Sequence, residues 1–589
     1  MKRSSFKLYI LFIGVILASC SKDFLDRKPL DKISSADYWT NTNDLKLYVN
    51  QFYTKFPSHG TGYGGGMFWR DNNSDNLVPR SFNARMNGSW NKPTSGGGWG
   101  WTDIRNVNYF LDNYDNVPGD SKDKKSYVGE ARFFRAYFYF SLVKQFGDVP
   151  WYDHVLQPGA EELYKARDSR NFVIDKILED LDYAIENLKG SGAQTSMRVT
   201  KEVALLFKSR VALFEGTWEK YHEGTDFGVK DANPTKYLDL AATAAKALID
   251  LGTCQIYSDG NTETSYYTLF NKTDYKGVTE VMLWRQYDQD LTLRHNLQRY
   301  LQPGAGTALS KDFCDSYLDK EGRPLAVSTF ENSYVSLSGM SKDRDPRMRQ
   351  TLYIPGRVKI NNKPNGAADE LYERPPIDVA GEDGNMTGLV SCKGMDPDYL
   401  QSYSSFQSTT GAIVFRYAEA LLNYAEAKAE LGTITQADLD ISINKLRDRV
   451  GMVHLELGAI VADPNWKFPT LSPIINEVRR ERRIEFVTTG FRFDDLMRWK
   501  AANLFVGKRP RGMMYVGGEF EGKYLDDKGT DLITLGKNIN VDENGFIDPY
   551  KKALPAGYGF KEDRDYLKPI PTNELTINKN LQQNPGWDK

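Results

Sequence analysis

The sequence predicts a mostly α-helical protein, a frame of tetratricopeptide-like helical pairs that carries a large irregular insertion of loops and short strands. Three observations predict this class. Apolar residues recur at helical spacing over long stretches of the 589-residue chain. Two distant stretches, 204–216 and 420–432, both begin with Ala-Leu-Leu and end on glycine, as stacked helical hairpins do. Between them the periodicity fades into segments rich in Tyr, Gly, Pro and Asp.

Helical periodicity defines most of the frame. The stretch from Glu130 to Val143 is apolar on nearly every face, so we expect it to lie between other helices. The predicted helices cover residues 34–56, 101–113, 124–146, 169–188, 200–218, 235–251, 413–431, 435–450 and 473–487.

The chain begins with the parts of an export signal. Lys2, Arg3 and Lys7 make a basic start, and residues 8–17 form an uninterrupted apolar run. That run is about half of the roughly 20 residues needed to cross a bilayer. It therefore predicts a removable signal peptide and not an anchor helix.

The apolar run closes with Leu17-Ala18-Ser19-Cys20, which resembles the bacterial lipobox, where the cysteine is acylated and the chain is cut before it. Each buried CH₂ of an acyl chain contributes roughly 0.8 kcal/mol, so a multiply acylated cysteine can hold a globular domain on a membrane. We expect a signal peptide at 1–19, a lipidated Cys20 within a tether at 20–30, and one domain at 31–589. The alternative is an ordinary signal peptide with a chance cysteine.

Charge and cysteine content exclude some classes of protein. The chain has 76 Lys and Arg against 78 Asp and Glu, and removing three basic residues with the signal peptide leaves a net charge of about −5. Nucleic-acid binding would need a basic face, and none is implied. Cys254, Cys314 and Cys392 are widely spaced, so we expect buried thiols and not disulfides or a zinc site.

Three irregular segments interrupt the helical frame, which we place at about 31–253 and 411–505. Residues 58–100 are rich in Gly, Asn, Ser and Trp, which predicts a long structured surface loop. Residues 254–410 contain short strand-like runs such as 280–284, and residues 506–566 are turn-rich. We expect these segments to form the ligand side of the molecule.

Signatures of the common enzyme classes are absent. There is no H-E-x-x-H, G-x-S-x-G or G-x-x-x-x-G-K-[ST] sequence, and the five histidines lie far apart. A glycosidase needs two carboxyl groups at a set separation, which sequence alone cannot show. We expect a protein that is not an enzyme and that needs no cofactor or metal.

Two charged segments have simple structural explanations. Residues 540–548 imitate the first nine positions of a calcium loop, but Lys551 occupies the position of the bidentate Glu, so we favour a turn with Asn-Gly at its tip. In residues 477–486 glutamates and arginines alternate at i, i+3 and i+4 spacing, which predicts an ion-paired helix and not a nucleic-acid patch.

The aromatic loops offer binding without catalysis. A sugar ring presents flat C–H faces and a rim of hydroxyls, so a receptor stacks it on exposed Trp or Tyr and bonds the rim with polar side chains. For any single Trp, packing in the core is the simpler alternative, and Trp101 starts a helix and should be structural. The candidate ligand-binding residues are Trp69, Asp71, Asn72, Trp90, Asn91, Trp99, Trp284, Tyr287, Arg294 and Tyr300.

A set of motifs spread along nearly the whole chain points to a known family. The motifs are residues 20–26 with Pro29 and 37–39, residues 129–136 leading to 146–150, and residues 345–347, 415–427, 444–451, 480–486, 490–499, 570–571 and 583–587. In these motifs the chain resembles the SusD-like (SusD/RagB) outer-membrane nutrient-binding lipoproteins. A departure is Thr488-Thr489 before Gly490, where the family often has an acidic residue.

The resemblance implies a helical SusD-like frame, display on the outer face of the outer membrane, and partnership with a SusC-like TonB-dependent transporter. In that family the lipoprotein acts as lid and receptor and hands oligosaccharides to the transporter. Its shared motifs are mostly frame residues, so no ligand contact is carried over. A peptide ligand in the same role is one alternative, and a surface glycoside hydrolase is another.

Overall fold

The first half of the chain forms a series of long helices, in a computed structural model that describes residues 38–193, 197–331 and 333–588. The predicted signal peptide at 1–19 and the predicted lipidation site Cys20 lie outside the described residues. Within those ranges no helix is both long and apolar enough to cross a bilayer. The long helices are α1 Thr42–Tyr53, α2 Thr102–Asn113, α3 Lys122–Phe146, α4 Arg170–Asn187, α5 Lys201–Tyr221 and α6 Pro234–Asp250.

The insertion contains short helices and paired strands. Within the described residues the strands form three two-stranded antiparallel sheets, which pair 77–79 with 307–309, 281–285 with 412–416, and 358–360 with 370–371. The helices are α7 Ser265–Leu269, α8 Leu297–Leu301, α9 Lys311–Cys314, α10 Leu337–Ser341, α11 Arg347–Thr351 and α12 Tyr399–Ser402. The strands are β1 Leu77–Pro79, β2 Val281–Arg285, β3 Thr307–Leu309, β4 Val358–Ile360, β5 Glu370–Leu371 and β6 Ala412–Arg416.

Helices return in the last third, with two differences from the prediction. Residues 412–416 form β6 because the β-branched Ile413 and Val414 favour a strand, which pairs with β2 before the next helix begins at Tyr417. The predicted helix 435–450 is split at Ser442, whose backbone is not helical. The remaining helices are α13 Tyr417–Glu430, α14 Gln436–Asp440, α15 Ile443–Asp448, α16 Pro473–Glu485, α17 Arg492–Arg498 and α18 Thr572–Ile577.

The helices stack side by side around one large apolar core. Neighbours follow the order α3, α4, α5, α6, α13 and α16, so the frame closes between distant parts of the sequence. Helix α3 also packs against α1 and α2, and Phe133, Phe134 and Tyr139 are completely buried. This confirms that α3 lies between other helices, and the mostly α fold is confirmed with it.

The two glycines of the suspected repeat have different roles. Gly432 follows α13 with a φ of 71°, as a glycine that terminates a helix does. Gly216 lies inside α5, where a Cβ atom would be 2.8 Å from Cγ of Leu238 in α6. The expectation that both glycines end helices is therefore wrong for Gly216, which instead allows two helices to approach closely.

The calcium-like segment forms a turn. The Asp542 Oδ1 atom accepts the backbone N–H groups of Asn544 and Phe546, and its Oδ2 atom accepts from Arg511. Among the described residues, no group of His, Cys, Asp and Glu side chains is arranged to hold a metal ion. The hydrogen bonds from Asn544 and Phe546 to Asp542 are those of the predicted turn with Asn544-Gly545 at its tip.

Helix α16 is ion-paired, but almost entirely with other elements. Arg479 bonds Glu430, Arg482 bonds Asp495, and Arg483 bonds Asp75 and Asp312. The bond from Arg480 to Glu477, 3.4 Å long, is an i,i+3 pair within the helix. The prediction of a structural, ion-paired helix is confirmed, while the expected pairing along the helix surface is replaced by long-range pairs in the interior.

Glu485 at the end of α16 lies at the centre of this network. Its carboxylate accepts from Arg416 and Arg449 at 2.6 Å each and from Arg347 at 3.4 Å, and it is fully buried. Burial alone raises the pKa of Glu485, but the three guanidinium charges hold that pKa well below its usual range. The carboxylate is therefore ionised, and it joins β6, α15 and α11 to α16.

We predict that Glu485→Gln lowers the free energy of unfolding by about 3–5 kcal/mol, because it leaves buried arginines without their counter-charge. Urea unfolding followed by circular dichroism measures this loss. The control is Glu186→Gln on α4, an exposed carboxylate with no ion pair to any residue in the described ranges, which should change stability by less than about 0.5 kcal/mol. Equal effects of the two changes would contradict the central role of Glu485.

Candidate ligand-binding site

A cleft of about 240 Å³ opens where the irregular segments meet the helical frame. Helices α3 and α5 provide its floor, β6 provides one wall, and the segments 57–70 and 488–494 provide the rim. Its lining mixes aromatic rings with charged and hydroxyl side chains. The lining includes His59, Arg70, Tyr137, Phe140, Ser141, Lys144, Phe207, Arg210, Phe270, Lys393, Ile413, Val414, Arg416, Glu419, Thr489, Gly490, Phe491 and Asp494.

Asp71 fastens the two rim segments to each other. It lies in the 3₁₀ helix Phe68–Asn73, and its two carboxylate oxygens accept the backbone N–H groups of Thr488 at 2.7 Å and Gly490 at 3.0 Å. The side chain is fully buried, and burial raises the pKa of Asp71 to about 6 against the opposing effect of these hydrogen bonds. Asp71 thus positions the rim and does not face the cleft.

The rim at residues 488–490 has a constrained backbone. Gly490 has a φ of 82°, and a Cβ atom there would be 2.8 Å from Cβ of Arg70. Thr488 also has a positive φ, 61°, a conformation that costs a β-branched residue of order 1–3 kcal/mol. The Arg70 side chain therefore crosses closely over Gly490, and the strained turn is held by the hydrogen bonds to Asp71.

One face of α3 forms the floor of the cleft. Tyr137, Phe140, Ser141 and Lys144 follow i, i+3, i+4 and i+7 spacing, which places them in one row along the helix. The Tyr137 ring is half-buried against Phe207, and its hydroxyl has no hydrogen-bond partner in the described parts of the chain. Burial raises the pKa of Tyr137, so the phenol stays neutral and can donate to a ligand.

The carboxylates that line the cleft are already paired. The Lys144 ammonium forms an ion pair with Asp494 at 2.5 Å. The Arg210 guanidinium donates two hydrogen bonds, of 2.5 and 2.6 Å, to the carboxylate of Glu419. The Arg210 guanidinium also lies over the ring of Phe491, 5.1 Å from its centroid. The Arg210 contact holds the Phe491 ring in place, and both carboxylates, Asp494 and Glu419, are bonded to cations.

His59 closes one side of the cleft as a neutral residue. Its ring lies 4.7 Å from that of His295, and its Nε2 atom is 3.2 Å from the carbonyl oxygen of Gly411. Burial lowers the pKa of His59 to about 4 and that of His295 to about 2. Both imidazoles are thus uncharged at neutral pH, and this wall adds no charge to the cleft.

The chain matches two family descriptions that together cover most of its length. Residues 256–587, more than half of the chain, match the SusD family. The chain belongs to the SusD family. Residues 23–213 match a second SusD-like family, described as starch-binding and associating with the outer membrane.

Relatives of this SusD-family protein align over nearly their whole length. SusD-like protein P2 of Formosa agariphila is 22% identical over 600 residues, which cover 99% of this chain and all of that protein. A SusD-like carbohydrate binding protein of Bacteroides fragilis is 23% identical with a TM-score of 0.69, covering 92% of this chain and 100% of that one. A SusD homolog of Bacteroides thetaiotaomicron has a TM-score of 0.60 at 18% identity, covering 94% and 99%. The solved structures show that the fold is shared.

None of the ten residues predicted as ligand contacts lines the cleft of this SusD-family protein. In the first loop, Trp69 is buried and its indole Nε1 donates to the carbonyl oxygen of Ala305 at 3.1 Å. Asp71 binds the backbone of the rim. Asn72 is half-buried and accepts a hydrogen bond from the Thr307 hydroxyl at 2.7 Å. Trp69 and Asp71 therefore fix the loop, and their prediction as exposed contacts is wrong.

The other two tryptophans of the loop differ in exposure. Trp99 is buried beside Phe146, with ring centroids 5.0 Å apart, so its prediction as a stacking surface is also wrong. Trp90 remains half-exposed and packs edge-on against Trp587, and Asn91 is exposed. These two stay candidate contacts at a separate surface. Trp101 immediately precedes α2 and packs against Trp99, which fits its predicted structural role.

In the insertion, the predicted contacts Trp284 and Tyr287 are also buried by packing against neighbouring segments. Trp284 is buried against Tyr275, and both rings lie close over Gly411, where a Cβ atom would be 2.7 Å from each. Tyr287 is buried and accepts the backbone N–H of His59 at 2.9 Å. The prediction of an exposed platform is wrong for both residues.

Arg294 and Tyr300 keep part of their surface exposed. Arg294 donates to the carbonyl oxygen of Gln289 at 2.9 Å. Tyr300 packs edge-on against Tyr63 and Trp69. Both residues remain candidate contacts outside the cleft.

Sequence reasoning missed the residues that face the cleft. Arg70 lies between the predicted contacts Trp69 and Asp71 but is not itself among the predicted contacts. Trp69 and Asp71 turn into the interior, and Arg70 faces the cleft. Tyr137 and Lys144 lie in a helix whose sequence is apolar on nearly every face. The polar members of that helix, spaced seven residues apart, are the signal that could have identified an open face.

We predict that Gly490→Ala lowers the free energy of unfolding by about 2–5 kcal/mol, the sum of backbone strain and collision with Arg70. The matched control is Gly432→Ala. Gly432 has a φ of 71°, and a Cβ atom added there would meet no other atom within 4 Å, so only backbone strain of about 1–2 kcal/mol applies. Urea unfolding of both variants separates the two contributions, and equal losses would show that Arg70 does not press on Gly490.

We predict that Trp284→Ala destabilises the protein by about 3–5 kcal/mol, because a large ring is removed from a closed interior. Trp90→Ala should lose less than half of that, because part of its ring is already in water. Thermal unfolding of the two variants measures the difference. A Trp284→Ala variant with the melting temperature of the parent protein would contradict the burial of Trp284 and return it to the candidate ligand contacts.

Proposed function

We propose that this SusD-family protein binds glycan in the cleft between α3, β6 and the rim segments. The observation that carries the proposal is the half-buried ring of Tyr137, whose hydroxyl has no bond to any residue the structure describes, set beside the half-buried rings of Phe491 and Phe270. Such rings offer apolar faces to the C–H side of a sugar, and unbonded polar groups can bond its hydroxyls. The similarity to a SusD-like carbohydrate binding protein of Bacteroides fragilis supports this choice.

We propose further that binding occurs without hydrolysis. Hydrolysis of a glycosidic bond normally needs one carboxyl group as acid and a second as base or nucleophile. Here the cleft carboxylates Asp494 and Glu419 are each bonded to a cation. Both carboxylates are thus engaged by cations of the protein, which supports a receptor over a glycosidase.

The sequence motifs support a role for this receptor in a transport system. We propose that Cys20 is acylated after removal of residues 1–19 and tethers the domain to the outer face of the outer membrane. The family description of residues 23–213 as associating with the outer membrane supports this location. In this proposal the bound oligosaccharide passes to a SusC-like TonB-dependent transporter, for which the lipoprotein acts as a lid.

The test of glycan binding is titration calorimetry with a panel of soluble oligosaccharides against the parent protein and Tyr137→Phe. We expect the variant to bind the recognised glycan about 2–10-fold more weakly, because one ligand hydrogen bond is lost while the ring remains. The matched control is Tyr164→Phe, an exposed tyrosine away from the cleft, which should leave affinity unchanged.

Three outcomes would overturn parts of the proposal. Binding of peptides from a mixed pool, with no glycan bound, would replace the ligand class. New reducing ends after incubation with a bound polysaccharide would show an enzyme. Equal affinity of the parent, Tyr137→Phe and Tyr137→Ala for a glycan would place the binding site elsewhere, with Trp90 and Asn91 as the next surface to test.

A further inference from the structure

One cation of the cleft, Arg70, has no partner among the residues that the structure describes. The Arg70 side chain is exposed at the rim, and its guanidinium makes no hydrogen bond, ion pair or ring contact with any residue in the described ranges. Lys144 and Arg210, the other cations at the cleft surface, are each bound to a carboxylate. One positive charge therefore remains in excess at the mouth of the cleft.

The cations below the cleft surface are committed to the interior. Arg416 bonds Glu280 and Glu485, and the Lys393 ammonium donates to the Tyr266 hydroxyl and to the carbonyl oxygens of Glu485 and Val487. Both side chains are buried. Among the cleft cations, Arg70 is thus the one whose guanidinium donors are all left available by the described part of the chain.

The position of Arg70 is fixed although its head group is free. The residue before it, Trp69, is bonded to Ala305, and the residue after it, Asp71, is bonded to the rim backbone. The aliphatic part of Arg70 lies close over Gly490. A guanidinium held this way loses little conformational entropy when it binds a ligand.

Its chemistry selects the ligand. A guanidinium is a planar fork of N–H donors that matches a carboxylate or a sulfate through two parallel bonds, and such charge-assisted bonds are stronger than bonds to neutral hydroxyls. A neutral sugar over Arg70 would displace water from the cation without supplying a counter-charge, which is unfavourable.

We propose that the cleft selects acidic glycans, in which a sugar carboxylate or sulfate ester binds the guanidinium of Arg70 while a neighbouring ring packs on Tyr137. This inference rests on the proposed glycan-binding function and names the substrate class. The whole protein carries a net charge of −2, so the attraction is local to the cleft and is not a general affinity for polyanions.

The test compares glycans that share a backbone and differ only in charge. Oligogalacturonates are set against their carboxyl-reduced forms, and sulfated galactan oligosaccharides against their desulfated forms, by titration calorimetry at two salt concentrations. We expect at least one acidic member to bind about tenfold more tightly than its neutral partner, with an affinity that falls as salt is raised.

Variants of Arg70 then assign the effect to this side chain. Arg70→Gln should lower the affinity for the acidic glycan about tenfold and leave that for the neutral partner within about twofold, and Arg70→Lys should fall between the parent and Arg70→Gln. Arg80→Gln is the matched control. Arg80 is also exposed and without an ion pair in the described chain, and it does not line the cleft. Unchanged melting temperatures in all three variants exclude a folding defect.

The outcomes separate this inference from the function on which it rests. If acidic and neutral partners bind equally and Arg70→Gln weakens both, the cleft binds glycans but does not select charge, and the inference is overturned alone. If neutral glycans bind and acidic ones do not, the selection of acidic glycans is likewise overturned, while the proposed glycan binding stands. If no glycan of either kind binds, the proposed function fails together with it.

Discussion

The buried ion pairs of α16 are the constraint on which the rest of the structure depends. A charge taken out of water is costly unless opposite charges surround it, so each arginine and glutamate of this helix requires a partner in a defined place. The partners come from almost every other part of the protein, including Asp75 in the first loop, Asp312 and Arg347 in the insertion, and Glu430 in the frame. The helix therefore sets the register between the regular frame and the irregular segments.

The rim of the cleft begins where α16 ends. Residues 486–491 leave the helix immediately after Glu485, and Asp71 holds their backbone from the opposite side. The strained Thr488 persists because both ends of this short turn are fixed. A loop supported in this way can present Phe491 and Arg70 at constant positions, which is what a binding site on irregular structure requires.

The frame could be predicted from the sequence to a larger extent than the site. Helical periodicity located α3 to α6 within a few residues, because burial of one face leaves a regular pattern. The end of α13 was visible as a glycine, whereas Gly216 looks the same in sequence and allows close helix packing instead. The contacts of α16 could not be foreseen, since a row of alternating charges fits a solvated surface as well as an interior with distant partners.

The ligand side shows why composition is a weak guide to exposure. Trp69 lies in glycine-rich sequence and Trp284 lies in the short strand β2, yet both rings pack into small apolar clusters of the insertion. The direction of a side chain in a loop is set by tertiary contacts that no local pattern records. The family resemblance established the fold because its motifs are frame residues, and for the same reason it contained no information on the cleft.

Cys254, Cys314 and Cys392 are buried, and their surroundings have a practical consequence for work on the folded domain. Burial raises the pKa of Cys254 to about 11 and that of Cys314 to about 12, and the pKa of Cys392 is raised in the same direction. Thiolates are the reactive form of cysteine, so the native domain should resist maleimide reagents at neutral pH. A single cysteine introduced beside the cleft could then carry a fluorophore in an otherwise unlabelled domain, without replacement of these three buried cysteines.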